Sequence, residues 1–248
     1  MNLIGYFDES GTNPGDAYLT VAGYLSTQDR WDAFHVEWSA ALKEYGLPFF
    51  HMTDCANGAP PYDRWAKEER WAMQQRMFRI LSGHALCGMG CAVSIESYNR
   101  LVSPAADAKF PGPYGLAVRL MLDAGANTVA QLGVDNDPWI AYTFELGAEG
   151  SGKVFQAVNK LLPQLRRELR VLSLQFEPKD KFTPLQLGDI AAYELMRYVN
   201  TKYGVDQRYG PRTFNLEALG ALVPAYWGRI KDELMLAWSS MAENPRFV

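Results

Sequence analysis

Three acidic residues are placed where an α/β fold would bring their carboxylates to one ligand site. Asp8 follows a short apolar run, Glu145 ends another, and Asp189 lies near the start of a predicted helix. In open α/β sheets, ligands bind at the carboxyl ends of the strands. Neighbouring carboxylates repel unless a cation lies between them, and their hard oxygens suit Mg²⁺ or Mn²⁺. The pattern therefore predicts a divalent-metal site, and such ions can support phosphodiester cleavage.

Each of these acids also has a structural interpretation. Asp8 could begin the turn before Ser10 and Gly11. Glu145 could be a solvated strand end, and Asp189 could be an acid favoured by the dipole of its helix. The residues alone leave both interpretations open.

The helix that carries Asp189 has clear start and stop signals. Thr183 is a suitable N-cap, Pro184 fits the first helical position, and Gln186 lies where a capping box has its Glu or Gln. Gly204 predicts the end of the helix. Asp189 lies about 60° from the centre of the apolar face, so its carboxylate can face a cleft.

Side chains beside these acids could transfer protons or support the site. Glu9 would point to the opposite face from Asp8 in a continuing strand, which favours a supporting or structural role. His51 ends an aromatic run and is either a packed histidine or a proton-transfer group, while Asp54 is a candidate helix cap. We count Glu9 and His51 among the candidate catalytic residues and expect His51 or Asp54 to face the acidic cleft.

The charge is unevenly distributed along the chain. The net charge is −4, so no global basic field attracts nucleic acid. Residues 153–212 nevertheless contain 11 Lys and Arg against 6 Asp and Glu, a difference of 11 − 6 = +5. This segment is either a solvated surface or a phosphate-binding strip. In the second interpretation, Lys153, Lys179 and Lys181 are candidates to contact substrate phosphates.

Cysteine and apolar content indicate the class of protein. The three cysteines, Cys55, Cys87 and Cys91, contain no C-x-x-C pair, so neither a disulfide framework nor a zinc ribbon is predicted. This fits a reducing cytoplasm. The chain enters a strand-like run at once, so we expect no signal peptide, and no apolar run approaches the length of a membrane span. We therefore expect a cytoplasmic protein without a membrane partner.

A competing motif lies between a predicted strand and a predicted helix. Gly147, Gly152 and Lys153 fit the pattern G-x-x-x-x-G-K of a nucleotide-binding P-loop. Val154 replaces the Ser or Thr that would hold Mg²⁺, and Glu149 would put a negative charge in the phosphate cradle. The other interpretation is a glycine-rich connection that presents Lys153 at a helix N-terminus.

The order of predicted elements favours an α/β sandwich with a mixed sheet. A hairpin is followed by a helical insertion, a third strand and then alternating helices and strands. We predict one domain over residues 1–248, with a helical cap at residues 28–82 and an added C-terminal helix at residues 216–240. The predicted strands lie at residues 3–7, 18–25, 85–96, 139–145 and 172–176.

Two short motifs carry a resemblance to a known family. The segment Tyr-Phe-Asp-Glu-Ser-Gly at residues 6–11 and the segment Pro-Leu-Gln-Leu-Gly-Asp-Ile-Ala-Ala-Tyr at residues 184–193 resemble the DES and Q-x-x-D motifs of the domain-of-unknown-function 3800 family. Phe-His-Met-Thr-Asp at residues 50–54 resembles its His-containing segment. The resemblance spans roughly residues 1–203 and implies a ribonuclease H-like fold, with the first strand central and the fourth beside it.

The same resemblance implies roles for the acids. Asp8 matches the first-strand acid and Asp189 the helix acid, while Glu145 is our assignment for the middle acid. The helical insertion departs from a minimal ribonuclease H core, and a fourth acid has no clear counterpart. We expect a metal-dependent phosphodiesterase or nuclease that acts on nucleic acid. The alternatives are a non-catalytic binding or assembly protein on the same fold and a nucleotide-binding switch.

Overall fold

A six-stranded mixed sheet forms the centre of the protein. The structure is a computed structural model, and it describes residues 2–131, 138–147, 151–203 and 225–243. The strand order is β5-β4-β1-β2-β3-β6. β1 pairs antiparallel with β2 and parallel with β4, so the first strand is central and the fourth lies beside it. This is the ribonuclease H-like mixed sheet that the motifs imply, with β6 added at one edge. The strands are β1 (Leu3–Ser10), β2 (Tyr18–Ser26), β3 (Cys87–Ser94), β4 (Ile140–Glu145), β5 (Val171–Glu177) and β6 (Ala225–Arg229).

Helices cover both faces of this sheet. On one face α6 and α7 pack on the strands, and on the other face α8 packs on β1 and β2. Among the described residues, no helix combines the length and apolarity needed to cross a bilayer. The helices are α1 (Gln28–Tyr45), α2 (Met52–Asn57), α3 (Lys67–His84), α4 (Ile95–Leu101), α5 (Pro104–Lys109), α6 (Gly112–Gln131), α7 (Ser151–Leu169), α8 (Leu185–Lys202) and α9 (Asp232–Glu243).

The insertion predicted at residues 28–82 is a helical segment that contacts both α8 and the sheet. It contains α1, α2, a 3₁₀ turn at Tyr62–Arg64 and α3. α1 packs on α3, and α2 contacts α8. The buried Trp31 ties the segment to the sheet, because its Nε1 donates to the carbonyl of Ile4 at 2.9 Å. The insertion therefore holds α2 against the helix that carries Asp189.

The helix predicted at residues 216–240 is wrong at residues 225–231 and confirmed at residues 232–240. Ala225–Arg229 is strand β6, parallel to β3, and the helix α9 begins only at Asp232. The reason is a tertiary contact: a Cβ at either Gly88 or Gly90 would lie 2.7 Å from the Trp227 ring. These two glycines leave room for the indole on the face of β3, which favours an added edge strand there. The predicted residues 216–224 lie outside the described residues.

Candidate functional site

Asp8 and Glu145 lie side by side at the carboxyl edge of the sheet. β1 and β4 run parallel with Phe7 opposite Phe144, so the next residue of each strand is an acid. The Asp8 side chain is completely buried, and that of Glu145 is 15% exposed. Carboxylate oxygens of Asp8, Glu9 and Glu145 lie within 4.8 Å of one another.

Glu9 also belongs to this cluster, although it leaves the strand on the opposite face from Asp8, as predicted. Asp8 is paired with Ala22 and Glu9 with Val21, and these two partners pack in the cores on opposite faces of the sheet. At the strand end, a Glu9 carboxylate oxygen nevertheless lies within 4.8 Å of oxygens of Asp8 and Glu145. The Glu9 backbone amide also donates to Asp8 Oδ1 at 2.7 Å. Glu9 thus supplies a fourth carboxylate to the site. The sequence had shown no clear counterpart for the fourth acid of ribonuclease H-like enzymes.

Asp189 reaches the same group from α8, and a lysine lies between the acids. Lys179 Nζ is 3.3 Å from Asp8 Oδ2, 3.3 Å from Glu145 Oε2 and 3.3 Å from Asp189 Oδ1. The structure thus brings the three predicted carboxylates together around one ammonium group. Lys179 lies in the turn after β5, and its side chain is only 19% exposed, so it contacts the acids and not open solvent.

The charges in this cluster are only partly balanced. Burial raises the pKa of Asp8 well above its usual value, and its contact with Glu145 adds to the rise. Burial, together with the charge of Glu145, raises the pKa of Glu9 to about 7. Burial by itself would lower the pKa of Lys179, but the nearby carboxylates raise it overall, so the lysine stays charged. The raised pKa values of Asp8 and Glu9 reflect burial and crowding of the carboxylates, and a further cation between them would favour their ionised forms.

Asp189 is held in place by the segment that begins α2. The Met52 backbone amide donates to Asp189 Oδ2 at 2.6 Å. His51 Nε2 lies 3.8 Å from Asp189 Oδ1, and its Nδ1 is 2.6 Å from Asp54 Oδ2. His51 therefore bridges Asp54 and the acidic cluster, which is where the sequence predicted it to face.

Gln186 anchors the site and does not cap the helix. Its Oε1 accepts hydrogen bonds from Trp38 Nε1 at 2.8 Å and from the Phe50 amide at 2.9 Å, and its Nε2 donates to the Lys179 carbonyl at 3.3 Å. The predicted capping box is wrong because α8 begins at Leu185, where no side chain caps it. Gln186 instead ties the insertion and the turn after β5 to the helix.

Two buried oxygen atoms near the acids have no hydrogen-bond partner among the described residues. They are Glu9 Oε2 and the Tyr114 hydroxyl. Burial, and then the charges of Glu9, Asp8 and Glu145, raises the pKa of Tyr114. No signal in the sequence pointed to this tyrosine, because it was only the predicted start of a helix. Unpartnered buried oxygens next to a carboxylate cluster fit a site that binds a cation and its water.

The remaining candidate lysines lie outside the acidic cluster. Lys181 is exposed in the turn that also carries Lys179. Lys153 is exposed in the first turn of α7 and lines a cavity of about 330 Å³. Three of the residues that line this cavity are basic: Lys109, Lys153 and Lys160. Residues 148–150 of the P-loop pattern lie outside the described residues.

The thiols are unsuited to nucleophilic chemistry. All three cysteines are buried and free, and burial raises the pKa of Cys55 to about 11 and those of Cys87 and Cys91 to about 12. Since thiolates are the reactive form, we expect the native protein to resist alkylation at pH 8 and to react at three sites once unfolded. Iodoacetamide labelling followed by mass spectrometry measures this. Rapid labelling of Cys55 in the folded protein would contradict it.

Comparison with known proteins adds little to this geometry. No protein-family model matches the chain, and no curated protein matches its sequence. Among solved structures, the chain is similar to a chain of the PCNA:RNase HII complex from Archaeoglobus fulgidus, with 11% identity, a TM-score of 0.39 and coverage of 99% of this chain and 93% of the other. A likeness with so low a TM-score supports no conclusion about chemistry.

Proposed function

We propose that this protein is a divalent-metal-dependent phosphodiesterase that acts on nucleic acid. The observation that carries the proposal is the convergence of four carboxylates, Asp8, Glu9, Glu145 and Asp189, at the carboxyl edge of the sheet. Hard oxygen donors of this kind suit Mg²⁺ or Mn²⁺. The unpartnered oxygens of Glu9 and Tyr114 support the same fit. A bound ion would activate a water molecule and stabilise the leaving oxygen.

The surrounding residues have supporting roles in this proposal. Asp54 orients His51, whose other ring nitrogen faces Asp189, so His51 is placed to take or deliver a proton at the edge of the cluster. The Met52 amide fixes the angle of the Asp189 carboxylate. The family resemblance to the domain-of-unknown-function 3800 proteins and the cytoplasmic location stay predictions.

The direct test is divalent-ion binding followed by cleavage. Isothermal titration with Mg²⁺ and Mn²⁺ should give binding in the millimolar range or tighter. Single-stranded, duplex and hybrid oligonucleotides should then be cleaved with an ion and left intact with a chelator. A protein that binds neither ion at millimolar concentration would instead favour the non-catalytic binding protein on the same fold.

Lys153 and Lys160 are the best-placed candidates for contacts with substrate phosphates. They lie two turns apart on α7, line the same cavity, and share it with Lys109 and with no acidic residue. Pro111, which also lines the cavity, precedes Tyr114 by three residues along the chain. We propose that a phosphate backbone bound at the acidic cluster also contacts this basic cavity.

Replacing both lysines by alanine should weaken binding of an oligonucleotide and reduce its salt dependence. Each lost phosphate contact lowers the slope of log K against log salt by about 0.9 for duplex DNA, so a loss of roughly one to two is expected. Fluorescence anisotropy with chelator present measures this. The matched control replaces Lys67 and Lys231, which are exposed, belong to other elements than α7 and do not line the cavity. Equal slopes for the two double variants would exclude the contact.

A further inference from the structure

Lys179 has a position that the proposed function leaves unexplained. Its ammonium is equidistant from carboxylate oxygens on β1, β4 and α8, at 3.3 Å from each. An ammonium group has three donors, and here it meets three acceptors. The lysine therefore occupies the point at which the three acids converge.

These three contacts are long for charged pairs. Charge-assisted N–H···O bonds are usually about 2.7–2.9 Å, compared with 3.3 Å here. The ammonium is thus shared among the acids and is not bound tightly by one of them. It balances one negative charge, while Glu9 Oε2 in the same cluster has no hydrogen-bond partner among the described residues.

We propose that Lys179 is a built-in cation that occupies the carboxylate cluster and is displaced when a divalent ion binds. The inference rests on the proposed function, since it assumes that the same carboxylates bind the ion. An ammonium and a divalent ion repel each other and compete for the same three oxygens. Lys179 therefore preserves the cluster without metal and lowers its affinity for metal.

The surrounding structure allows the side chain to leave while the backbone stays. Gln186 Nε2 donates to the Lys179 carbonyl, and the Lys181 amide donates to the carbonyl of Pro178, so the turn itself is fixed. The side chain is 19% exposed and ends a flexible four-carbon stem. Once displaced, the ammonium would remain beside the cluster, where a substrate phosphate is bound in the proposed reaction.

Lys179→Met tests this competition because it removes the charge and keeps most of the apolar stem. We expect roughly tenfold tighter Mn²⁺ binding, measured by titration calorimetry or by the free-ion signal in electron paramagnetic resonance. We also expect a lower melting temperature without metal and a larger rise when Mn²⁺ is added. Lys181→Met, two residues away and exposed, should change none of these values.

A second measurement uses the unaltered protein, so it does not depend on the variant folding. Reductive methylation mapped by mass spectrometry should modify Lys179 slowly without metal and several-fold faster with Mn²⁺, while Lys181 reacts equally in both. If the unaltered protein binds Mn²⁺ but Lys179→Met binds it no better, or Lys179 reactivity does not change, the competition is excluded and the metal site stands. If neither protein binds Mn²⁺, the proposed function itself fails.

Discussion

Asp189→Asn is expected to abolish divalent-ion binding and nucleic-acid cleavage while leaving the protein folded. The amide keeps the size of the side chain, and its oxygen can still accept the hydrogen bond from the Met52 amide. It removes the negative charge that faces Lys179 and, in our proposal, the bound ion. Since the lost interaction acts on charge that develops in the transition state, we expect the rate to fall at least about 10²–10³-fold.

The measurements are Mn²⁺ titration, thermal melting and cleavage of the best oligonucleotide substrate. Asp180→Asn is the matched control, because Asp180 is exposed and adjacent to Lys179 in sequence. It should behave like the unaltered protein in all three measurements. An Asp189→Asn protein that melts normally and cleaves at the original rate would remove Asp189 from the catalytic machinery.

The sequence predicted the part of the site that depends on strand ends. Asp8 and Glu145 could be placed together because each ends an apolar run, and parallel neighbouring strands bring their carboxyl ends to one edge. Asp189 could be predicted as part of the site because its position in the helix, beside the apolar face, lets its carboxylate face a cleft. Its burial was underestimated, because the insertion packs α2 against α8 and leaves the Asp189 side chain only 7% exposed.

The rest of the site depends on contacts between distant segments, which local patterns do not encode. Lys179 lies in a turn and has a partner 171 residues earlier in the chain, so its charge suggested only an exposed phosphate contact. Gln186 had the spacing of a capping residue, but its partners are the buried Trp38 and the Phe50 amide, 148 and 136 residues earlier. Strand β6 was missed for the same reason, because Gly88 and Gly90 make the space for Trp227.

Gly188→Ala should damage the fold and the site together, through one added methyl group. Gly188 is the residue before Asp189, at the point where α8 crosses β1. A Cβ there would lie 2.7 Å from the Asp8 backbone nitrogen and 3.0 Å from the Asp8 Cβ and the Phe7 carbonyl carbon. Two of these three atoms belong to the backbone of a central strand, so the helix has to move. Such overpacking costs about 1–3 kcal/mol, more than the helix propensity that alanine adds.

The movement separates Asp189 from Asp8, so Mn²⁺ binding should be lost even at temperatures where the variant is fully folded. Chemical denaturation gives the stability change, and calorimetry well below the melting temperature gives the ion affinity.

Gly83→Ala is the matched control, because Gly83 also lies in a helix but a Cβ there would meet nothing within 4 Å. It should raise the free energy of unfolding by up to about 1 kcal/mol and leave ion binding unchanged. A Gly188→Ala protein with normal stability and normal Mn²⁺ affinity would show that α8 does not need this close approach to β1, and that the carboxylate cluster tolerates displacement of its helix.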